Sequence, residues 1–208
     1  MAKSGNTARV VIATRNLGKL DELRRILHPL GLTLLGLDAF PRISEVEETG
    51  ASFRENALLK ARAIAREARL PALADDSGLE VEHLGGEPGI YSARYAGEPR
   101  SDARNNQKLL AALKEVPDAA RAADFVCVAA AALPSGEAIW EEGRWRGAIL
   151  RAPRGTSGFG YDPLFFDHES GRSAAELESD RKDARSHRGK AFRKLAERLP
   201  DFLPALLE

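Results

Sequence analysis

The chain has 208 residues, 31 Lys and Arg against 31 Asp and Glu, and a single cysteine. This length is enough for an α/β domain with a buried core, and we predict one domain over residues 1–208. A net charge of zero argues against a nucleic-acid coat or a membrane-surface protein, because both normally carry excess cations. The single cysteine excludes an internal disulfide and a multi-cysteine zinc site. Without an export signal or a long apolar run, the sequence predicts a cytoplasmic protein.

The N-terminal part of the chain is predicted to form a strand, a helix and a second strand. Arg9–Thr14 is a short run rich in β-branched residues, Gly18–Pro29 has apolar residues at helical spacing, and Leu32–Leu37 is again apolar. This order within about 30 residues is typical of a βαβ unit and favours parallel strands.

The rest of the chain continues to alternate between strands and helices. Ser52 is predicted to cap the second helix, because Glu55 lies at the capping-box position three residues later. In chain order, the further predicted elements are a helix over 53–69, strands over 72–74 and 79–83, a glycine-rich loop over 85–97, a helix over 102–115, strands over 125–133 and 137–146, a Gly/Pro loop over 151–161, a strand over 164–166 and a final helix over 186–199. The fold class that this pattern predicts is α/β.

The first segment that can carry chemistry joins the first strand to the first helix. A helix N-terminus presents unpaired N–H groups and a partial positive charge, to which Lys19 adds a full charge. We interpret the segment as a phosphate cradle, although it lacks the glycine run of a Walker A loop. An ordinary turn with a solvated lysine is the alternative. Its residues are Thr14, Arg15, Asn16, Leu17, Gly18 and Lys19.

Two groups of carboxylates form the second feature. Asp75 and Asp76 follow a predicted strand, and adjacent carboxylates repel one another unless a cation lies beside them. Oxygen ligands favour Mg²⁺ over Zn²⁺, and one carboxylate could instead act as a general base on water; a turn with solvated acids is the alternative. Glu47 and Glu48 lie in an acidic loop, which alone indicates a solvated surface but could supply a carboxylate to the same metal.

The third feature is an aromatic loop followed by a basic segment. Phe159 lies between two glycines, which leaves its ring poorly shielded and suited to stacking on a base. Packing of Phe159 and Tyr161 into the core is the alternative. Lys182, His187 and Arg188 could bind phosphate or base edges, or form one face of an amphipathic basic helix. Dinucleotide, zinc-peptidase and serine-hydrolase chemistry has no motif support.

Taken in order, these segments resemble the inosine triphosphate pyrophosphatase family. The matching stretches are ATRNLGK (13–19), EETGASFRENALLKA (47–61), ALADDSGLEVEHLGGEPGIYSARYAG (72–97), GFGYDPLF (158–165) and SHRGKA (186–191), which together span nearly the whole chain. The resemblance implies an elongated mixed β-sheet flanked by helices, with two lobes and a central cleft. It also implies a homodimer that hydrolyses deaminated purine nucleoside triphosphates (ITP, dITP and XTP) between the α and β phosphates, with Mg²⁺.

The resemblance assigns a role to each segment. It implies Asp76 as general base and metal ligand, with Asp75 and either Glu47 or Glu48 completing the metal surroundings. The substrate-binding residues that it implies are Thr14, Arg15, Asn16, Leu17, Gly18 and Lys19 for the phosphates, Ser77 and Lys182 elsewhere on the substrate, Phe159, Gly160, Tyr161 and Asp162 at the base or ribose, and His187 and Arg188 at the purine edge.

Two other functions are weighed against this one: a pyrophosphatase for modified pyrimidine nucleotides, and a nucleotide-binding module without catalysis. Phe159 and the Ser-His-Arg segment argue against the first, and an intact pair of aspartates argues against the second. The zero net charge is a cancellation, since residues 75–87 carry five acids and no Lys or Arg while residues 181–198 carry eight cations and two acids. Such a chain suits a small polyanion without suiting a nucleic acid.

Overall fold

The structure, a computed structural model, describes residues 8–203. In this range the strands are β1 (Arg9–Ile12), β2 (Thr33–Leu35), β3 (Ala72–Val81), β4 (Ala122–Ala132), β5 (Ala138–Ile149), β6 (Phe165–Asp167) and β7 (Arg172–Ser173). The α-helices are α1 (Leu17–Leu27), α2 (Phe53–Ala68), α3 (Asp102–Ala112), α4 (Ser179–Arg185) and α5 (His187–Phe202). No helix within residues 8–203 is long and apolar enough to cross a membrane.

The strands form one mixed sheet in the order β2-β1-β3-β4-β5-β6-β7. β1 pairs in parallel with β2 and β3, whereas β6 pairs antiparallel with β5 and β7. The predicted βαβ unit is confirmed, because β1 and β2 are parallel neighbours with Val10 opposite Leu34. The mixed sheet flanked by helices that the resemblance implies is also confirmed.

The chain divides into two compact units, which agrees with the two lobes that the resemblance implies. Unit 1 contains residues 8–76, 128–143 and 188–203, and unit 2 contains residues 77–127 and 144–187. The assignment of residues 1–208 to a single functional domain stays a prediction.

The core of unit 1 is built from β1 and the buried faces of α1 and α2. Residues Val10–Ile12 are fully buried, as expected for a strand with a parallel neighbour on each side. α2 begins after Ser52, whose Oγ accepts a hydrogen bond from the Glu55 N–H at 3.2 Å. The Glu55 carboxylate in turn accepts a hydrogen bond from the Ala51 N–H at 2.7 Å. The predicted cap of the second helix is therefore confirmed.

An aromatic cluster forms the core of unit 2. The Phe125 ring of β4 lies 6.3 Å from Trp145 of β5 and 4.4 Å from Phe165 of β6, measured between ring centroids. Leu109 and Leu113, at and just beyond the end of α3, are fully buried against this cluster. The apolar face of α3 thus fixes this helix to the core of unit 2.

β3 differs from the prediction, which placed two short strands over 72–74 and 79–83 on either side of an acidic turn. The structure contains one strand over Ala72–Val81, so Asp75 and Asp76 lie within it and are buried. Buried carboxylates are tolerated when cations and amide groups pair with them, and both aspartates have such partners. The alternative of a turn with solvated acids is therefore wrong.

The C-terminal region contains two helices where the sequence predicted one over 186–199. Ser186 separates α4 from α5 with an extended backbone (ψ 155°), and serine is favoured directly before a helix. Lys182 therefore lies on a short helix of its own. The other predicted elements match the observed ones to within three residues at each end, apart from β3 and the unpredicted β7.

Candidate active site

The loop between β1 and α1 is held by its own polar side chains. Asn16 caps α1, because its Oδ1 accepts a hydrogen bond from the Lys19 N–H at 3.0 Å. The Asn16 N–H donates to Thr14 Oγ1 at 3.1 Å, and Arg15 donates to a main-chain carbonyl oxygen ahead of α2 at 2.8 Å. The exposed or half-buried residues of this loop are Thr14, Arg15, Asn16, Leu17, Gly18 and Lys19.

Asp75 is the centre of a buried group of charges, the Asp75 network, formed by Lys19, Glu22, Asp75 and Arg188. Asp75 Oδ2 accepts hydrogen bonds from Lys19 Nζ at 2.9 Å and from Arg188 Nη2 at 3.1 Å. Arg188 Nη1 pairs with the Glu22 carboxylate. Burial raises the pKa of Asp75, but the positive charges of Lys19 and Arg188 outweigh burial and hold that pKa well below its usual range.

The Asp75 network holds the ammonium group of Lys19 in place near the first turn of α1. The Lys19 side chain is 17% exposed and its ammonium group is held by Asp75, so the alternative of a solvated lysine is wrong. Arg188 is 2% exposed in its ion pairs with Asp75 and Glu22. Its predicted contact with the purine edge, and the predicted metal contact of Asp75, stay predictions.

Asp76 belongs to a second group of side chains, which we call the acidic site. It consists of Glu48, Asn56, Lys60 and Asp76. Asn56 Nδ2 donates to Asp76 Oδ2 at 3.0 Å. Lys60 Nζ lies between the two carboxylates, 3.5 Å from Asp76 Oδ1 and 2.7 Å from Glu48 Oε1. Asn56 and Lys60 are one turn apart on α2 and therefore share one face of that helix. Asn56 is itself oriented by the Gly50 N–H, which donates to its Oδ1 at 2.8 Å.

The pKa of Asp76 is shifted in the opposite direction to that of Asp75. Burial raises the pKa of Asp76, and the positive charge of Lys60 offsets this effect only in part. Burial lowers the pKa of Lys60, but the carboxylates of Asp76 and Asp75 raise it by more. A desolvated carboxylate with a raised pKa is typical of a general base. The two neighbouring aspartates thus differ, since the pKa of Asp75 is lowered and the pKa of Asp76 is raised.

The structure separates the two glutamates that the sequence left ambiguous. Glu48 contacts Lys60, which also contacts Asp76, whereas Glu47 is exposed. Sequence reasoning missed Asn56 and Lys60, although both lie in the stretch over 47–61 that carries the family resemblance. Their four-residue spacing on a capped helix was the signal that could have found them.

The donor set of the acidic site fits a magnesium ion that is shared with phosphates. Within residues 8–203, no group of three or more His, Cys, Asp or Glu side chains is arranged to enclose a metal. Mg²⁺ is commonly bound by one or two carboxylates together with waters and substrate phosphates, so a complete protein cage is not required. Glu48 and Asp76 would supply such a pair of oxygen ligands, and both face one cationic group, the ammonium of Lys60.

The aromatic loop, residues 157–163, is folded around the carboxylate of Asp162. Asp162 is buried, and its Oδ2 accepts hydrogen bonds from the Phe159 N–H at 2.9 Å and from Lys182 Nζ at 2.6 Å. Gly158 has φ +79°, and a Cβ there would lie 2.1 Å from Asp162 Oδ2, so this approach requires glycine. The Lys182 ammonium also lies 5.0 Å from the centroid of the Phe159 ring, within cation–π range.

Phe159 and Tyr161 have different surroundings within this loop. Tyr161 is buried, and its hydroxyl donates to the Ser92 carbonyl oxygen at 2.9 Å. Burial also raises the pKa of Tyr161. Phe159 is half-buried. The alternative of core packing therefore holds for Tyr161, while Phe159 keeps accessible surface.

Two side chains of α3, which we call the Gly160 clamp, hold the aromatic loop at Gly160. Asp102 Oδ2 accepts a hydrogen bond from the Gly160 N–H at 2.7 Å, and Asn106 Nδ2 donates to the Gly160 carbonyl oxygen at 2.9 Å. Sequence reasoning missed both residues. They are one turn apart on a helix that the sequence does predict, but no motif marks them as partners of a loop more than fifty residues away.

The remaining predicted site residues are His187 and Ser77. His187 begins α5, is buried, and stacks on Phe125 with ring centroids 4.7 Å apart and planes 14° apart. Ser77 follows Asp76 in β3 and is half-buried. Their predicted contacts with a nucleotide stay predictions.

Comparisons with known proteins agree with the resemblance read from the motifs. Residues 10–198 match the sequence profile of the Ham1 family. The chain is 55% identical over 202 residues to a dITP/XTP pyrophosphatase of Nitratidesulfovibrio vulgaris, covering 94% of this chain and 97% of the relative. It is 53% identical to a dITP/XTP pyrophosphatase of Geobacter sulfurreducens, covering 92% and 96% of the two chains.

Solved structures give the same result. A HAM1 protein from Coxiella burnetii superimposes with a TM-score of 0.84 at 42% identity, covering 94% of this chain and all of that one. The crystal structure of a nucleoside-triphosphatase, dITP/XTP pyrophosphatase, from Mycobacterium abscessus superimposes with a TM-score of 0.73 at 48% identity, covering 90% and 98% of the two chains.

Proposed function

The chain belongs to the Ham1 family and, like its curated relatives, is a nucleoside-triphosphate pyrophosphatase; we propose that its substrates are ITP, dITP and XTP. In this proposal it cleaves the bond between the α and β phosphates with Mg²⁺, releasing a monophosphate and pyrophosphate. The observation that carries the chemistry is the acidic site, in which a buried Asp76 with a raised pKa faces Lys60 and Glu48.

Asp76 is the proposed general base. Its Oδ2 is oriented by Asn56, and its raised pKa makes the carboxylate a stronger base toward water than an ordinary aspartate. The activated water attacks the α phosphorus and pyrophosphate leaves, so no covalent bond to the enzyme is formed. The proton passes from water to Asp76, and the leaving pyrophosphate takes the bonding electron pair.

The cationic groups of unit 1 are proposed to bind the triphosphate. Lys19 supports this role because Asp75 holds its ammonium group at the N-terminus of α1, where the helix dipole adds a partial positive charge. Glu48 and Asp76 would hold the Mg²⁺, which when bound neutralises phosphate charge and makes pyrophosphate a better leaving group.

Selection of the base is proposed to use residues of unit 2. Phe159 is half-buried in a loop fixed by Asp162 and is suited to stacking on a purine. A hydrogen-bond donor that faces the 6-keto oxygen of hypoxanthine or xanthine would face an amino group in adenine. Leaving such a buried donor unpaired costs about 1–3 kcal/mol, which selects against ATP.

A nucleotide panel tests this function directly. The protein is incubated with ITP, dITP, XTP, ATP and GTP in the presence of Mg²⁺, and pyrophosphate and orthophosphate are measured separately. We expect pyrophosphate from the three deaminated nucleotides and much slower turnover of ATP, while GTP, which keeps the 6-keto oxygen, shows whether the 2-amino group is also selected against. Orthophosphate as the product, or faster turnover of ATP, would overturn the proposal. The homodimer that the resemblance implies and the cytoplasmic location that the sequence predicts stay predictions.

A further inference from the structure

The peptide groups on both sides of Phe159 are held by carboxylates of unit 2. The Phe159 N–H donates to Asp162 at 2.9 Å, and the next N–H, that of Gly160, donates to Asp102 at 2.7 Å. Since the two peptide planes that flank a residue determine the direction of its Cα–Cβ bond, these bonds set the direction in which the Phe159 side chain leaves the loop. Asp162 is buried and Asp102 is exposed, so the loop is held from the interior by one and from the surface by the other.

A third hydrogen bond holds Gly160, the residue of the loop whose backbone could most easily change conformation. Gly160 has φ +62°, and glycine has more backbone freedom than any other residue. Asn106 Nδ2 donates to the Gly160 carbonyl oxygen at 2.9 Å, on the peptide that follows the one bound by Asp102. The Gly160 clamp therefore restrains the backbone torsions on both sides of the Gly160 Cα.

α3 is a firm support for the clamp. Asn105 Nδ2 donates to the carbonyl oxygens of Ser92 and Ala93 at 3.3 and 3.1 Å, and its Oδ1 accepts from the Ala96 N–H at 2.8 Å. The Tyr161 hydroxyl donates to the same Ser92 carbonyl oxygen. The helix that carries the clamp and the loop that the clamp holds are thus both bound to the segment around Ser92.

We propose that Asp102 and Asn106 are positioning residues for base recognition: they hold Gly160 so that the Phe159 ring presents its accessible face to the purine. Neither residue needs to touch the nucleotide. This inference rests on the proposed function, in which Phe159 stacks on the base.

Kinetics of single variants give the first test. Asp102→Ala and Asn106→Ala should each raise the KM for ITP about three- to tenfold and leave kcat within about twofold, since the clamp affects base binding and not the attacked phosphorus. Asp102→Asn keeps an acceptor oxygen and should rescue the KM to within about twofold of the wild type. Gln107→Ala, at an exposed position directly after Asn106 on the same helix, is the matched control.

A double-mutant cycle with Phe159→Ala separates positioning from a merely structural role. If the clamp acts through the ring, Asn106→Ala should add nothing to the KM of the Phe159→Ala enzyme, because the group that it positions is gone. Hydrogen exchange of residues 158–162 should be faster in Asp102→Ala and Asn106→Ala and unchanged in Gln107→Ala. This measurement reports the loop conformation without relying on turnover.

The outcomes distinguish the inference from the function on which it rests. If Phe159→Ala raises the KM for ITP but the clamp variants do not, or if their effects multiply with that of Phe159→Ala, positioning is overturned and base stacking stands. If Phe159→Ala leaves the KM unchanged, both base stacking by Phe159 and the clamp's role are overturned. The nucleotide panel then still decides whether the protein is a pyrophosphatase for deaminated purines.

Discussion

Replacing Asp75 with Asn should destabilise the protein strongly, although the two side chains have nearly the same shape. The substitution leaves the ammonium of Lys19 and the guanidinium of Arg188 facing a neutral amide, and the Asp75 and Arg188 side chains are 1% and 2% exposed. Breaking a buried ion pair by removing one partner costs about 3–5 kcal/mol. For a chain of this size, each kcal/mol lowers the unfolding temperature by about 2–4 °C, so we expect a decrease of roughly 6–20 °C.

Asp76→Asn is the matched control, because it makes the same chemical change at the next residue of β3. The raised pKa of Asp76 means that its ionised form is less favourable in the folded protein than in the unfolded chain. Neutralising it should therefore leave the unfolding temperature unchanged or raise it. The same substitution should lower turnover of ITP by about 10²- to 10⁴-fold, because it removes the proposed general base.

The assay is calorimetric unfolding of the wild type, Asp75→Asn and Asp76→Asn at several pH values. Because the folded-state pKa of Asp75 lies below its unfolded value, its stabilisation is complete above the unfolded value of about 3.9 and is lost as the pH falls through the folded pKa. The cost of Asp75→Asn should therefore be equal at pH 7 and pH 5. For Asp76 the sign is reversed, so stability decreases as the pH rises from about 3.9 through its raised folded pKa, and Asp76→Asn removes that decrease.

If Asp75→Asn unfolds within about 2 °C of the wild type, the buried pair contributes less than about 1 kcal/mol and does not stabilise the fold as predicted. If Asp76→Asn loses as much stability as Asp75→Asn, the different hydrogen-bond partners of the two aspartates do not give them different roles in stability.

Three further predictions concern the proposed reaction. Glu48→Gln should raise the Mg²⁺ concentration for half-maximal activity about tenfold or more while Glu47→Gln leaves it unchanged, because only Glu48 shares Lys60 with Asp76; equal effects in a magnesium titration would contradict this assignment. Phe159→Ala should raise the KM for ITP by about tenfold or more through lost stacking, and an unchanged KM in steady-state kinetics would argue against the base site. The acid limb of kcat/KM against pH should lie above the usual aspartate pKa of about 3.9, because Asp76 must be ionised to act as a base and its pKa is raised; a limb at or below that value would point to another group.

Patterns within short stretches of sequence predicted most of the helices and strands. The cap at Ser52 and the parallel β1–β2 pair depend on neighbouring residues and on a short crossover, and both were read from the sequence. β3 was not, because Asp-Asp-Ser-Gly has the composition of a turn. Only the side chains that reach the strand from α1, α2 and α5 make a buried strand possible there.

The chemical types of the candidate site were also legible in the sequence, since the motifs name carboxylates, a lysine at a helix start and an aromatic ring between glycines. The contact partners of these groups could not be read from the sequence. Successive residues of a strand point to opposite faces, so adjacent Asp75 and Asp76 meet different helices, and one becomes a permanently ionised anchor while the other keeps a raised pKa. The sequence by itself determined the family and the kinds of groups at work. The tertiary structure decided what each group does, because hydrogen bonds and pKa values depend on contacts between residues that are distant in the chain, as Lys60 and Asn106 show.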